Sequence, residues 1–288
     1  MISRDLLRLA RPAHWVKNAA VVLPLVMAPG AIDAASIGAS LAAAVAFCLA
    51  SSAVYALNDV CDRDADRRHP AKRERPVASG AVLPRAALLL ALGCAVAGVG
   101  LAFAVAPGAG LAALALLFVN LLYSLKLKHV AIVDALAIAA GFLLRILAGA
   151  AAIAVEPSPW ILVMAGQLSL FLAFAKRRHD LVHGVNETHR PSLAGYNLPF
   201  LDAAIAMLLG GLLVAYVVYT TDHAVMARLG TRWMVATVPF VAAGILRYLQ
   251  ILYVEREAGS PVDVLLRDRF VQAAILGWLA TYGLLVAA

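Results

Sequence analysis

The chain has 288 residues, of which 63% are hydrophobic and only 14% are charged, and its mean hydropathy is +0.87. Because a typical soluble domain has about 25% charged residues, this composition excludes a soluble globular fold. The formal net charge of +7 would suggest nucleic acid in a soluble protein, but its placement along the chain indicates a membrane orientation, so no nucleic-acid partner is predicted.

The apolar segments predict an all-α integral membrane protein. A spanning helix needs about 20 apolar residues, and the chain has room for about nine such helices. The predicted spans lie near 16–32, 37–57, 83–106, 108–125, 130–154, 159–175, 201–221, 233–253 and 270–288.

The positive charges predict the orientation. All but three of the 24 Lys and Arg residues lie at the N-terminus or beside connections that follow even-numbered spans. The exceptions are Arg145, inside a span, and Arg228 and Arg232. Short loops rich in Lys and Arg stay in the cytoplasm. We therefore expect a multi-pass inner (plasma) membrane protein with a cytoplasmic N-terminus and an external C-terminus.

Four aspartates and one asparagine follow the second predicted span, within residues 58–66. If the helix continues, Asn58, Asp62 and Asp66 stand at i, i+4 and i+8 and point to one side. Such hard oxygen ligands suit Mg²⁺, which commonly takes one or two protein carboxylates plus phosphate oxygens of a substrate. The alternative is a helix end that is paired with neighbouring arginines.

The next segment, residues 69–80, is rich in Pro, Gly and cations and is predicted to be a loop. Carboxylates that bind Mg²⁺, next to cations that bind phosphate oxygens, are the expected components of a diphosphate site. A purely topological role is the alternative for these cations.

The motif Asn58-Asp59-x-x-Asp62-x-x-x-Asp66 resembles the NDxxDxxxD signature of the UbiA superfamily of intramembrane prenyltransferases. This resemblance implies nine transmembrane helices around a central cavity, in a single transmembrane domain over residues 1–288. Further segments resemble the decaprenyl-phosphate phosphoribosyltransferase branch of the superfamily. They are residues 14–18, 69–76, 127–129, 144–149, 176–177, 246–248 and 266–269.

The resemblance implies Mg²⁺-dependent transfer of 5-phosphoribosyl from phosphoribosyl diphosphate (PRPP) to a polyprenyl (decaprenyl) phosphate, with release of diphosphate. The product would serve lipid-linked arabinose precursors and cell-wall polysaccharide. Ordinary prenyltransferases of the superfamily have a second Asp-rich motif, whereas residues 175–180 here contain three cations and one carboxylate. This difference favours PRPP, because the two substrates carry three separate phosphate groups.

These considerations assign roles to individual residues, with active-site loops expected near 58–82 and 176–200 on the cytoplasmic side. The predicted Mg²⁺ ligands, which are also counted as catalytic, are Asn58, Asp62 and Asp66. The predicted substrate-binding cations are Lys17, Lys72, Arg75, Lys128, Arg145, Lys176 and Arg177. No general base is required, because the acceptor is already a phosphate anion. The 176–200 segment either closes over PRPP or is a surface loop.

Arg145 is also predicted to be catalytic, since an arginine inside a span commonly faces a polar cavity. It either reaches substrate phosphates or pairs with Asp134, which lies about three helical turns earlier. Two other functions stay open: a UbiA-type prenyltransferase with an aromatic acceptor, and a transporter. Oligomeric state is open as well, because lipid-facing and partner-facing surfaces are both apolar.

Overall fold

The computed structural model describes residues 2–68, 72–184, 191–255, 264 and 267–287. Contacts divide the chain into two compact units. The first comprises Met1–Lys128 and Ala140–Pro157, and the second comprises His129–Ala139 and Ser158–Ala288. Every regular element in the described ranges is helical, which confirms the all-α prediction.

The α-helices are numbered in chain order. Those before residue 130 are α1 (Ile2–Ala10), α2 (Leu23–Val26), α3 (Ala34–Cys61), α4 (Arg63–Arg68), α5 (Pro84–Val105) and α6 (Pro107–Leu125). Helix α7 (Val133–Ala152) contributes residues to both units. The second unit continues with α8 (Pro159–Val182), α9 (Leu198–Thr221), α10 (His223–Leu229), α11 (Val238–Gln250) and α12 (Arg269–Ala287).

Eight helices in the described ranges are long and apolar enough to cross a membrane. They are α3, α5, α6, α7, α8, α9, the segment Met234–Glu255 and α12. Each corresponds to one of the predicted spans, from the second to the ninth. The chain is therefore a multi-pass membrane protein.

The first predicted span, 16–32, does not form a continuous helix, so the described part of the chain contains eight continuous spans rather than nine. This segment consists of the 3-10 helix Pro12–Val21, the four-residue α2 and the 3-10 helix Pro29–Ala31. Prolines at 24 and 29 lack the N–H that a continuous helix needs. The interruption ends at Asp33, which caps α3 by accepting a hydrogen bond from the Ser36 N–H at 2.7 Å.

Helix α8 extends further than predicted. It ends at Val182 rather than near residue 175, so the cationic segment 176–180 is helical. The segment expected to be a loop at 176–200 is therefore helical up to residue 182, and it also contains the 3-10 helix Pro191–Gly195. Residues 69–71 and 185–190 of the two expected loops lie outside the described residues.

Small residues allow close helix packing in the first unit. A Cβ on Gly98 of α5 would lie 2.8 Å from the Ala46 carbonyl oxygen of α3. Likewise, a Cβ on Gly149 of α7 would lie 1.8 Å from the Val21 carbonyl oxygen. Side chains that small let backbones approach closely, which is how helices commonly associate in lipid. The absence of a side chain at Gly149 thereby allows the irregular N-terminal segment to pack against α7.

The second unit packs around larger side chains. Its core includes the buried side chains of Phe171, Phe174, Leu201, Ile205 and Leu252. A cavity of about 540 Å³ with an almost wholly apolar lining lies between α8, α9, α11 and α12.

Candidate active site

The acidic motif lies where α3 ends and α4 begins. The backbone N–H of Asp62 donates to the Asn58 carbonyl at 2.8 Å, and the N–H of Asp66 donates to the Asp62 carbonyl at 2.8 Å. Asn58, Asp62 and Asp66 therefore stand on successive helical turns across the junction, in the register that their spacing predicts.

Two of the motif's aspartates are buried and share an arginine. Arg75 Nη1 lies 2.7 Å from Asp66 Oδ2 and 3.5 Å from Asp59 Oδ1. Arg11 Nη2 donates to the same Asp59 oxygen at 2.5 Å. Arg75 was predicted to hold phosphate, and in this geometry it joins two carboxylates that are seven residues apart. The Arg75 side chain is 27% exposed, whereas that of Asp66 is 4% exposed.

The other two motif residues contact the end of α6 and the turn after it. Lys128 Nζ lies 2.6 Å from Asp62 Oδ1. The Ser124 hydroxyl donates to Asn58 Oδ1. Lys128, predicted to bind substrate, is thus brought beside a predicted metal ligand. Three cations from separate segments of the first unit therefore contact the motif: Arg11, Arg75 and Lys128.

The donor set fits a hard divalent cation. Asn58, Asp59, Asp62 and Asp66 supply amide and carboxylate oxygens, the ligands that Mg²⁺ prefers. Asp59 Oδ2 is buried and has no hydrogen-bond partner among the described residues. In those same residues no three His, Cys, Asp or Glu side chains converge at metal-ligand spacing. The oxygens are thus of a suitable type, but the side chains do not converge on one metal position: Asp59, Asp62 and Asp66 each bind a cation, and Asn58 accepts from the Ser124 hydroxyl.

Arg145 is buried in the first unit among neutral partners. Its Nε donates to Asn18 Oδ1 at 2.8 Å, its Nη1 to the Gly141 carbonyl at 2.7 Å, and its Nη2 to Ser51 Oγ at 3.1 Å. The alternative that it pairs with Asp134 is wrong, because Asp134 is bound to Arg177. These contacts orient the guanidinium but do not neutralise its charge.

Arg177 is fully buried in the second unit. It donates to Asp134 Oδ2 from Nε at 2.9 Å and from Nη2 at 2.6 Å, and to the Ala173 carbonyl from Nη1 at 2.6 Å. All three of its nitrogens are engaged within the protein. This geometry favours a structural role over the phosphate-binding role that the sequence predicts for Arg177.

The same carboxylate anchors the segment that precedes α9. Ser192 Oγ donates to Asp134 Oδ2 at 2.8 Å, and Tyr196 Oη donates to Asp134 Oδ1 at 2.7 Å. Burial, together with the hydrogen bond to Asp134, raises the pKa of Tyr196 to about 12. Tyr196 Oη also accepts the N–H of Ile132, a β-branched residue at φ 69° in the left-handed region. The network therefore holds a strained turn in place.

The remaining predicted cations are lysines at or near the surface. Lys17 lies in the 3-10 helix Pro12–Val21, and Lys72 begins the 3-10 helix Lys72–Glu74. Lys17 and Lys176 are exposed, and Lys72 is half-buried. Their positions are compatible with binding soluble anions.

Sequence reasoning missed Arg11 and Asp59. Asp59 stands inside the motif, but the i, i+4, i+8 argument passed over it. Arg11 lies 48 residues away, in the left-handed region at φ 51°, and its guanidinium also lies over the Tyr55 ring at 5.2 Å. Only tertiary structure brings this arginine to the motif.

The sequence of the chain is similar to that of known proteins. The sequence model of the UbiA prenyltransferase family matches residues 19–265. Decaprenyl-phosphate phosphoribosyltransferase of Mycobacterium tuberculosis strain H37Rv is 34% identical over 287 residues, which cover 96% of this chain and 92% of that protein. The protein of the same name from Corynebacterium glutamicum is 33% identical, covering 96% and 85%.

A solved structure shares the fold at lower identity. The UbiA homolog from Archaeoglobus fulgidus bound to GPP and Mg²⁺ superimposes with a TM-score of 0.74 at 18% identity, covering 99% of this chain and all of that one. The UbiA-like fold predicted from the motif is therefore confirmed. By family match, full-length similarity and fold, the chain belongs to the UbiA prenyltransferase family and is a multi-pass membrane transferase.

Proposed function

We propose that this transferase moves 5-phosphoribosyl from PRPP to a polyprenyl phosphate and releases diphosphate. The observation that carries the proposal is the similarity, over 96% of the chain, to proteins named decaprenyl-phosphate phosphoribosyltransferase. The end of α8 supports it through the exposed Lys176, since Arg177 and Arg178 are bound to Asp134 and Asp202. An acidic motif at this position would suit a prenyl diphosphate donor better.

The residues of the first unit suit the departure of diphosphate. As the bond from ribose C1 to the leaving oxygen breaks, the sugar acquires oxocarbenium character, as in other glycosyl transfers. Arg11, Arg75 and Lys128 stand at the acidic motif and would bind the oxygens on which negative charge accumulates. Charge-assisted hydrogen bonds from these groups are stronger than neutral ones.

The oxygens of Asn58, Asp59, Asp62 and Asp66 would hold Mg²⁺. When bound, the metal would neutralise part of the diphosphate charge and so make it a better leaving group. These residues are ligands in the proposal, and none of them needs to move a proton. A phosphate oxygen of the acceptor forms the new bond to C1 with an electron pair that it already carries.

Arg145 would supply a positive charge for a substrate phosphate. Its neutral partners leave the charge uncompensated, and a buried charge is costly unless it meets an opposite one. In the second unit, exposed Lys176 would bind a phosphate group, while Arg177 would position the end of α8 on which Lys176 stands.

The proposal extends to organisation and orientation. Residues 1–288 would work as one UbiA-like domain, with the acidic motif and the segments near 58–82 and 176–200 facing the cytoplasm. The Lys and Arg distribution supports this orientation. The soluble donor would then reach the site from the cytoplasm, and the acceptor would reach it from the inner leaflet of the plasma membrane.

A transfer assay tests the proposal. The purified chain in detergent with Mg²⁺ would be given labelled PRPP and decaprenyl phosphate, or labelled prenyl diphosphate and 4-hydroxybenzoate. We expect label in the lipid fraction only with the first pair. Product from the second pair alone would establish the aromatic prenyltransferase instead, and uptake into liposomes without product would favour a transporter.

Variants of the acidic motif test the metal assignment. Asp62→Asn and Asn58→Ala should lose activity and weaken its dependence on Mg²⁺. Asp64→Asn is the matched control, because Asp64 lies within the same segment at a position that the motif does not specify, and it is exposed. An enzyme that ignores a chelator, or equal losses in all three variants, would contradict the assignment.

A further inference from the structure

The acidic motif of the first unit carries three ion pairs. Asp59 is bound by Arg11 at 2.5 Å, Asp62 by Lys128 at 2.6 Å, and Asp66 by Arg75 at 2.7 Å. The cations come from three segments that are distant in sequence, so the pairs are assembled by the fold. Nearly every carboxylate that could take a metal ion already has a cationic partner.

The two members of each pair are unequally accessible. The side chains of Asp59 and Asp66 are 1% and 4% exposed, whereas those of Arg11 and Arg75 are 21% and 27% exposed. Lys128 is 25% exposed beside a more accessible Asp62. Arg11 and Arg75 are therefore more accessible than the carboxylates that they bind.

The three ion pairs oppose the binding of a metal ion alone. If a carboxylate turned from its cation to a metal ion, the arginine or lysine would lose its partner, and breaking a partly buried pair is unfavourable. A diphosphate group removes that penalty, because its oxygens accept the same N–H donors. Conversely, the cations can turn to a diphosphate at low cost only if something else neutralises the carboxylates.

We propose that the three pairs exchange partners together, with the carboxylates turning to the metal ion and Arg11, Arg75 and Lys128 turning to the diphosphate group of the donor substrate. The metal ion and the diphosphate then bind cooperatively. The inference rests on the proposed function for a donor that carries diphosphate. Coupling of this kind typically changes affinity by about 5- to 150-fold, and it is reciprocal between the two ligands.

Removing one cation tests the exchange, because it should raise the affinity for the metal ion alone and lower the affinity for diphosphate. In Arg75→Met the freed Asp66 should bind the metal more tightly in the absence of diphosphate, by roughly 3- to 10-fold, while the enhancement that diphosphate gives should shrink. If Arg75 only stabilised the fold, its removal would lower the affinity for the metal ion and the affinity for diphosphate together.

The measurement is binding of Mn²⁺, as a paramagnetic substitute for Mg²⁺, to the full chain in detergent with and without inorganic diphosphate. Free Mn²⁺ is followed by electron paramagnetic resonance, so no turnover is needed. Mn²⁺ and diphosphate also associate in solution, but that contribution is the same for every variant. Lys128→Met provides a second test at a pair that is partly exposed on both sides.

Arg67→Met is the matched control. Arg67 lies on α4 beside the motif, and its Nε donates to the Ala78 carbonyl at 3.0 Å rather than to a carboxylate. It should leave both affinities unchanged. Unchanged metal affinity in both Arg75→Met and Lys128→Met, or a parallel loss of both affinities, would overturn the exchange. Failure of PRPP transfer would instead overturn the proposed function and leave these binding results to be judged by themselves.

Discussion

Removing the Asp134 carboxylate should destabilise the second unit severely. Asp134→Ala deletes the acceptor of four hydrogen bonds, two from Arg177, one from Ser192 and one from Tyr196. Arg177 would keep only the Ala173 carbonyl among the described residues, and it would be a fully buried charge. Breaking a buried pair from one side costs about 3–5 kcal/mol.

The assay is thermal unfolding of the purified protein in one detergent at one scan rate, because unfolding of a membrane protein is commonly irreversible. Asp134→Ala should lower the apparent Tm markedly. The double variant Asp134→Asn with Arg177→Met removes both charges and should recover most of that loss, since neutral replacement of a buried pair is often well tolerated. A single variant as stable as the wild type would refute the reasoning, as would a double variant no better than the single.

The double variant also separates two roles for Arg177. If Arg177 only positions the end of α8, the folded double variant should transfer phosphoribosyl with a KM for PRPP within a few fold of the wild type. If Arg177 binds phosphate directly, the double variant should fold but bind PRPP poorly. KM and kcat distinguish the two outcomes when they are measured at a temperature at which the wild type and the double variant are both folded.

Three other predictions follow from the same geometry. Arg145→Ala should insert normally but abolish turnover, and wild-type activity in that variant would exclude the proposed role. Gly149→Ala should cost about 1–3 kcal/mol, because the new methyl group meets the Val21 carbonyl. Gly100→Ala is the control in the same melting assay, because a Cβ there would meet no neighbouring element within 4 Å. The pKa of Tyr196 is raised to about 12 from an ordinary value of about 10. The contribution of the neutral hydroxyl to stability should therefore be complete below pH ~10 and lost as pH rises through the raised pKa. The Tm of Tyr196→Phe should lack this decrease at alkaline pH.

Hydropathy and charge predict most of the fold, because lipid-spanning helices need long apolar runs. The extension of α8 was not predictable in this way. Its polar end looks like a loop, yet Arg177 and Arg178 remain helical because each meets a carboxylate, at Asp134 and at Asp202 respectively. Those partners are 43 and 24 residues away, beyond the reach of any local pattern.

The site was predictable to the extent that it is local. Spacing alone gives the helical register of Asn58, Asp62 and Asp66, and the backbone hydrogen bonds follow it. The cations that meet these residues depend on tertiary structure, so Arg11 was missed. The pairing of Arg145 with Asp134 was wrong for a related reason: a shared helical face does not decide between partners when a second arginine is available.

Mass spectrometry of the lipids formed by the purified chain from PRPP and decaprenyl phosphate tests the central claim most directly. The account predicts a Mg²⁺-dependent product heavier than the acceptor by one phosphoribosyl group, formed together with free diphosphate. An unchanged acceptor in the presence of an active preparation, shown by a prenylated aromatic product from the alternative substrates, would contradict it.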